Sequence, residues 1–301
     1  MLIFDKPDSK PIMKAKVKII VGISCILLLA SCGPKTNPNA DKEDWIALFN
    51  GKDLEGWTPK IKGFEYGDNH KNTFKVTDGN LRVTYQDYDS FESKFGHLFY
   101  KTKFSHYRLK AQYRMVGEQV KGGPGWAFAN NGFMLHCQEP KTMTLNQDFP
   151  MSMEFQLLAG DNEINRPTGN LCTPGCHVHI DGSLVETHCI PDTRGATYPR
   201  GKWVSVEAVV LGDSIVHQIV EGDTVMTFNK PVIGGHLEGL NKELYKDGTP
   251  MTEGYIAIQG ESHDTEFRNI EILDLCGCRD EKAKNYKSYY SKHVQEDCVY
   301  E

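Results

Sequence analysis

From Phe74 to Leu275 hydrophobic and polar residues alternate in short runs, the period of half-buried β-strands. FKVTDGNLRVTY holds two such runs around Asp78-Gly79, a strong hairpin signal. HYRLKAQYRMV sets Tyr107, Leu109, Ala111 and Tyr113 against Arg108, Lys110, Gln112 and Arg114. NGFMLHCQ sets Phe133, Leu135 and Cys137 against Met134, His136 and Gln138, and MSMEFQLL sets Met151, Met153, Phe155 and Leu157 against Ser152, Glu154 and Gln156. In CHVHIDG the pattern buries Val178 and Ile180 and leaves His177, His179 and Asp181 on the opposite face. WVSVEAVVLGDSIVHQIVEGDTVMTF reads as three strands joined at Gly212-Asp213 and Glu221-Gly222-Asp223. GYIAIQGESHDTEFRNIEIL supplies two more, with Ile256 and Ile258 opposite Ala257, Gln259, Glu261 and His263 if the pleat persists. Helical period is almost absent, apart from a turn near His236 to Leu244. Many short strands with Gly and Asp turns predict an all-β fold of two packed antiparallel sheets, a jelly-roll β-sandwich.

The N-terminus is a different kind of segment. Lys14, Lys16 and Lys18 precede the apolar run IIVGISCILLLA, which ends in small residues before Cys32, so residues 1–32 read as an export signal and lie outside the fold. The end of that run, LASC, resembles a bacterial lipoprotein box, in which Cys32 becomes the acylated first residue of the mature chain. Met13 is a second candidate start. Residues 33–44, rich in Pro, Asn and Lys, read as a tether, residues 45–275 as the sandwich, and residues 276–301 as a polar, cysteine-closed tail. The expected location is therefore outside the cytoplasm, at a membrane through the lipid alone.

Cysteine usage agrees with export. Of nine cysteines, Cys25 leaves with the signal and Cys32 carries lipid, so seven remain in an oxidising compartment and at least one lacks an internal partner. Cys278 and Cys298 flank the tail and form the first expected pair, a closure worth about 3 kcal/mol in the loop-entropy picture. Cys172 and Cys176 bracket a tight Thr-Pro-Gly turn and could pair with each other. A zinc site from Cys172, Cys176, His177 and His179 is the weaker alternative, because structural zinc usually takes two separated ligand pairs.

The chain has 301 residues, 39% hydrophobic and 25% charged, and a formal charge of -6 without a long basic run beyond the N-terminus. That gives a nucleic-acid partner little support and favours a neutral substrate such as a carbohydrate. Candidate chemistry lies on the polar strand faces. A lone Glu or His on a solvated sheet face is more often structural than functional. Several strands whose polar positions are His, Glu and Gln instead of Lys, Thr and Ser shift that balance. Trp126, in GGPGWAF, is either core or a sugar-stacking platform, and its glycine-rich setting favours the platform.

LFNGKDLEGW, NNGFMLHC, SMEFQLLAGD and GYIAIQGESHDTEFRNI, taken in that order and spacing, resemble the 3-keto-disaccharide hydrolase family from about Trp45 to Leu275. The resemblance implies a concanavalin A-like, laminarinase-like jelly roll acting on sugars oxidised at C3, with cleavage by hydrolysis or elimination. Matched position by position, it points to His136, Glu154, Gln156, Gln259, Glu261, His263 and Arg114. The segment NLCTPGCHVHIDG departs from simpler relatives, which leaves His177 and His179 without that support.

A C3 ketone acidifies the C2 proton, so the site needs a base, a stabiliser for the enolate oxygen and an acid for the leaving group. Glu154 or His263 is the expected base, His136 the acid or a metal ligand, and Glu261 a further catalytic carboxylate. Gln156, Gln259, Arg114 and Trp126 are expected to hold the sugar, and a divalent metal, with His179 and Glu154 as ligands, to polarise the ketone. A retaining glycosidase would place two carboxylates about 5 Å apart. The EFQLLAGD strand has Gln156 where laminarinase-like enzymes carry a second acid, which argues against double displacement. The competing class is a non-catalytic carbohydrate-binding lipoprotein.

Overall fold

The structure is a computed structural model that describes residues 38–300 apart from Asn162 and Asp192. The expected export signal, Cys32 and the start of the tether lie outside the described residues. Among the described residues no helix is long and apolar enough to cross a membrane.

Two large sheets form the body. One has seven antiparallel strands in the order Cys189–Ile190, Asn170–Cys172, Met153–Leu158, Asn130–Cys137, Tyr255–Gly260, Gly96–Tyr100 and Trp57–Ile61. The other has ten. Its path runs from Ser183–Val185 through Cys176–Ile180, Asp223–Ile233, Ile215–Val220, Val204–Leu211, His106–Gln119, His263–Asp274 and Asn80–Val83 to Phe74–Thr77, with Ile46–Ala47 also paired to His263–Asp274. The sequence alternation decides which faces meet. Tyr107, Leu109, Ala111 and Tyr113 from the larger sheet and Met153, Phe155 and Leu157 from the smaller are buried in one core. Each fully buried side chain of this kind contributes about 1.5–3 kcal/mol. The result is the expected jelly-roll sandwich, and the hairpin at Asp78-Gly79 forms with both turn residues at positive φ.

Four departures from the sequence reading matter for the site. Cys172 pairs with Cys189, not with Cys176, which stays reduced and buried. Cys172 points outward from the seven-stranded sheet whereas Cys176 enters the core, so the tight turn between them carries their side chains apart. The Cys176–Ile180 strand belongs to the ten-stranded sheet, so His177 and His179 share no face with Glu154. His136 adopts φ +50° where the register with Tyr255–Gly260 shifts, and this bulge turns its ring toward Tyr107 and sends Cys137 to the face of Met134. The pleat also breaks at Ser262, φ +82°, as the chain crosses between sheets, so His263 does not continue the face of Gln259 and Glu261. The stretch from His236 to Leu244 forms turns and no helix.

The tail closes as expected through Cys278–Cys298. It also grips the chain's other end. Lys287 Nζ donates to the carbonyls of Asn39 and Lys42, each at 3.1 Å, and pairs with Asp44 at 2.7 Å, while Ser288 Oγ donates to Asp41 at 2.6 Å. From Asn39 onward the expected tether is therefore bound to the fold.

Candidate active site

Strand register lays a polar row across the outward face of the seven-stranded sheet. Lys60 lies opposite His97, and His97 opposite Gln259. Ile258 pairs with Phe133, which brings Gln259 level with Gly132; Gly132 lies opposite Gln156, and Gln156 opposite Asn170. Residues in register share a face, so these side chains converge. One step along each strand Glu154 sits between Met134 and Cys172, and on the other side Glu261 follows Gly260 at the strand end. Gly132 is the low point of the floor, and the Glu154 side chain lies over it.

Loops roof this face into a cavity of about 360 Å³. Glu154, Gln156, Glu261 and Asn130 provide its polar wall, and Trp126, Phe149 and the Cys172–Cys189 disulfide its apolar one. His188 and Pro174 stand at the same cavity. Trp126 is 55% exposed, and its ring stacks on buried Phe95 at 6.0 Å and 9°. It is thus an aromatic face held from behind and open in front. Arg166 braces this corner, donating from Nη2 to the Trp126 carbonyl at 3.2 Å.

The two carboxylates are held against their usual ionisation. Glu154 is 5% exposed, and burial pushes its pKa up to about 8, with the Gln259 side chain opposing. Glu261, 2% exposed, is pushed well above the usual range by burial and then by the charge of Glu154, against the pull of Arg166. Their neighbour His97 is fully buried and pushed down to about 3, first by burial and then by the Lys60 charge, so its ring is neutral.

Unpartnered polar atoms concentrate on this face. Glu154 Oε1, Glu261 Oε2, both amide atoms of Gln259, both ring nitrogens of His97, and Oδ1 of Asn130 and Asn170 have no hydrogen-bond partner among the described residues. Each such buried atom costs about 1–3 kcal/mol. Their gathering around one cavity marks a place where stability is given up for a ligand. The outer face of the ten-stranded sheet has a larger depression of about 490 Å³, but its charges are already neutralised: Lys110 pairs with Glu271 at 2.9 Å and Glu207 with Arg108 at 2.6 Å.

Of the residues singled out in the sequence, the structure brings together Glu154, Glu261, Gln156 and Trp126 at the cavity, with Gln259 in the adjoining row. It separates the others. His136 Nδ1 lies 3.1 Å from the Met251 carbonyl, and burial pushes its pKa down to about 4. His263 packs edge-on against Phe128 at 5.3 Å, and burial pushes it down to about 4 as well. Arg114 projects from the other sheet, pairing with Glu266 at 2.6 Å under the ring of Trp203, 4.5 Å away. His179 and Glu154, expected to share a metal, stand on opposite outer faces of the sandwich and cannot. Among the described residues no group of three or more His, Cys, Asp or Glu is placed to hold a metal ion. His97, Asn130, Asn170, Phe149, Arg166 and His188 escape the sequence reading. Only His97 left a trace, as the polar position between Gly96 and the apolar LFY of its strand.

A family model described as a 3-keto-alpha-glucoside-1,2-lyase-like domain matches residues 44–273. Among solved structures, a proposed glycosyl hydrolase of Parabacteroides distasonis is similar at 21% identity over 76% of this chain and 93% of its own, with a TM-score of 0.45. A second from the same organism is similar at 17% identity over 77% of this chain and 99% of its own, with a TM-score of 0.43. A carbohydrate-binding module of Bacillus subtilis is similar at 9% identity over 72% of this chain and 95% of its own, also with a TM-score of 0.43. No curated protein sequence matches this chain.

Proposed function

The chain belongs to the 3-keto-alpha-glucoside-1,2-lyase-like family, which makes it a carbohydrate-acting protein, and from that premise we propose that it cleaves glycosides oxidised at C3. The observation that carries this reading is the pair of buried carboxylates, Glu154 and Glu261, at one cavity with unpartnered polar atoms around them.

A ketone at C3 lets a base remove the C2 proton, because the charge passes to the ketone oxygen. Glu154, whose charge helps to hold Glu261 protonated, is the carboxylate that takes that proton. Glu261, still protonated, donates a hydrogen bond to the C3 oxygen as it becomes an enolate. The C1–O bond then breaks with its electron pair on the glycosidic oxygen, which takes up a proton. The products are a 1,2-unsaturated 3-keto sugar and the free alcohol. Water adding across the new double bond would give the free 3-keto sugar, so the lyase and hydrolase outcomes share this first step. Gln156, Gln259 and Asn130 supply hydrogen bonds to hydroxyls, and Trp126 a face for the ring. No step is routed through a metal, because the expected ligands do not converge.

Export with lipid at Cys32 belongs to the same reading, and the disulfides Cys172–Cys189 and Cys278–Cys298 suit an oxidising compartment. Mass spectrometry of the mature N-terminus checks that part.

The catalytic part is tested by incubating the protein with 3-keto glucosides of either anomer, with and without chelator, while following enone absorbance and free 3-keto sugar. Turnover that disappears in Glu154→Gln supports the assignment. Saturable sugar binding without turnover would leave a carbohydrate-binding protein instead.

A further inference from the structure

We infer that His188 protonates the departing oxygen in the reaction proposed above, and that the Cys172–Cys189 disulfide holds it at the cavity mouth for that purpose; the assignment rests on that reading of the site.

Three positions lie side by side across the sheet edge: Glu154 is opposite Cys172, and Cys172 opposite Cys189. With neighbouring strands about 4.8 Å apart, the backbone at Cys189 stands roughly 10 Å from that at Glu154, a separation that lets side chains reach a pyranose ring from two sides. His188 immediately precedes Cys189 and is among the residues that line the same cavity as the two carboxylates.

Its backbone is fixed although the residue is exposed. The His188 carbonyl accepts from Thr173 N at 2.6 Å and from Thr173 Oγ1 at 3.2 Å. The disulfide follows at the next residue, and buried Ile190 pairs with Leu171 after it. The imidazole, in contrast, has no hydrogen bond, ion pair or ring contact among the described residues. A free, solvent-reachable imidazole on a pinned backbone is unusual for a structural histidine.

The chemistry leaves this place open. Glu154 serves C2 and Glu261 serves the C3 oxygen, so neither is available at C1. His97 and His263 are buried and held neutral by their surroundings, so neither offers an imidazolium proton to the departing oxygen. A solvent-reachable imidazole suits an acid that must be reloaded each turnover. Protons balance: C2–H passes to the Glu154 carboxylate, the C1–O electron pair goes to oxygen, and an imidazolium N–H of His188 supplies the proton that frees the alcohol. Solvent then removes the proton from Glu154 and returns one to His188. Nothing is oxidised or reduced.

The test compares 4-nitrophenyl and methyl 3-keto glucosides, whose departing oxygens need little and much protonation respectively. In His188→Gln, kcat on the methyl glucoside is expected to fall at least about 100-fold further than kcat on the nitrophenyl one, with KM for both within about threefold. The Cys172→Ser/Cys189→Ser double variant is expected to show the same bias. Turnover of the nitrophenyl substrate reports folding in each variant. Equal losses on both substrates in His188→Gln, or no loss on the methyl one, overturn the acid role. A double variant without the bias overturns the positioning role of the disulfide. Glu154→Gln loses both substrates if the underlying elimination is right, so its retention of both would instead defeat the proposed function.

Discussion

A Cβ on Gly132 would stand 2.8 Å from both Cγ and Oε1 of Glu154, closer than packed atoms allow. The glycine in the NNG sequence is there to let the carboxylate lie flat on the sheet. Gly132→Ala is expected to fold, since the clash is with a side chain and not with backbone, but to displace Glu154 and lower kcat by about 10–100-fold, because small misplacements of a reacting group have large effects. Steady-state kinetics on a 3-keto glucoside checks this, and full activity would show that Glu154 does not act from this position.

The raised carboxyls fix the pH behaviour. In the proposed reaction kcat/KM rises as Glu154 ionises, with a limb near pH 8, and falls at higher pH as Glu261 loses its proton. Glu261→Gln keeps a donor that does not titrate, so on the 4-nitrophenyl substrate, whose departing oxygen needs little protonation, the alkaline limb should vanish while the acid limb remains. A pH–rate profile of both proteins decides it.

Stability carries the same signature without any substrate. The pKa of Glu154 is raised in the fold from 4.5 to about 8, so the folded chain binds the proton more tightly than the unfolded one does. The associated stability is fully present below about pH 4.5 and is lost as pH rises toward 8. Glu261 adds a contribution of the same sign. Denaturant titrations at pH 5 and pH 8.5 should find Glu154→Gln gaining on the wild type at the higher pH by about 1–3 kcal/mol. A parallel decline in both proteins would mean that Glu154 is ionised in the free fold at low cost.

Period-two alternation made most of this fold legible, because a residue's face follows from its parity wherever the pleat is regular. Glu154, Gln156, Gln259 and Glu261 were found that way. The failures fall where parity is broken or silent. His136 sits on a bulge at φ +50°, and His263 lies just beyond a sheet crossing at Ser262; in both cases one residue's backbone angle reverses the face. Arg114 has the right parity but belongs to the other sheet, and strand pairing over long sequence separations leaves no local mark. His188 stays out of view in the sequence together with its neighbour Cys189, because a tight turn between Cys172 and Cys176 suggests that those two pair without saying where their side chains point.

Trp126 is expected to act in binding and not in the chemical step. Its exposed face backed by Phe95 suits stacking against a pyranose. Trp126→Ala should raise KM by about 5–30-fold, the equivalent of about 1–2 kcal/mol, with kcat little altered. A kcat effect of the same size would place the ring nearer the reacting carbon.

The tail disulfide closes a separation of 20 residues, for which chain entropy gives about 3 kcal/mol. Cys278→Ser/Cys298→Ser should loosen the grip of Lys287 and Ser288, and limited proteolysis should then cut between Asn39 and Asp44, where the wild type resists. Equal resistance in the two proteins would show that the grip stands without the bridge.

That grip has a mechanical side. The chain's first described residues are laced to its last ones through Lys287 and Ser288, ahead of the short Ile46–Ala47 strand that pairs with His263–Asp274. Tension applied to the N-terminal end reaches the bridged tail before it reaches that strand. The two ends share the load like the two legs of a sling, and an edge pairing of only two residues is spared from peeling.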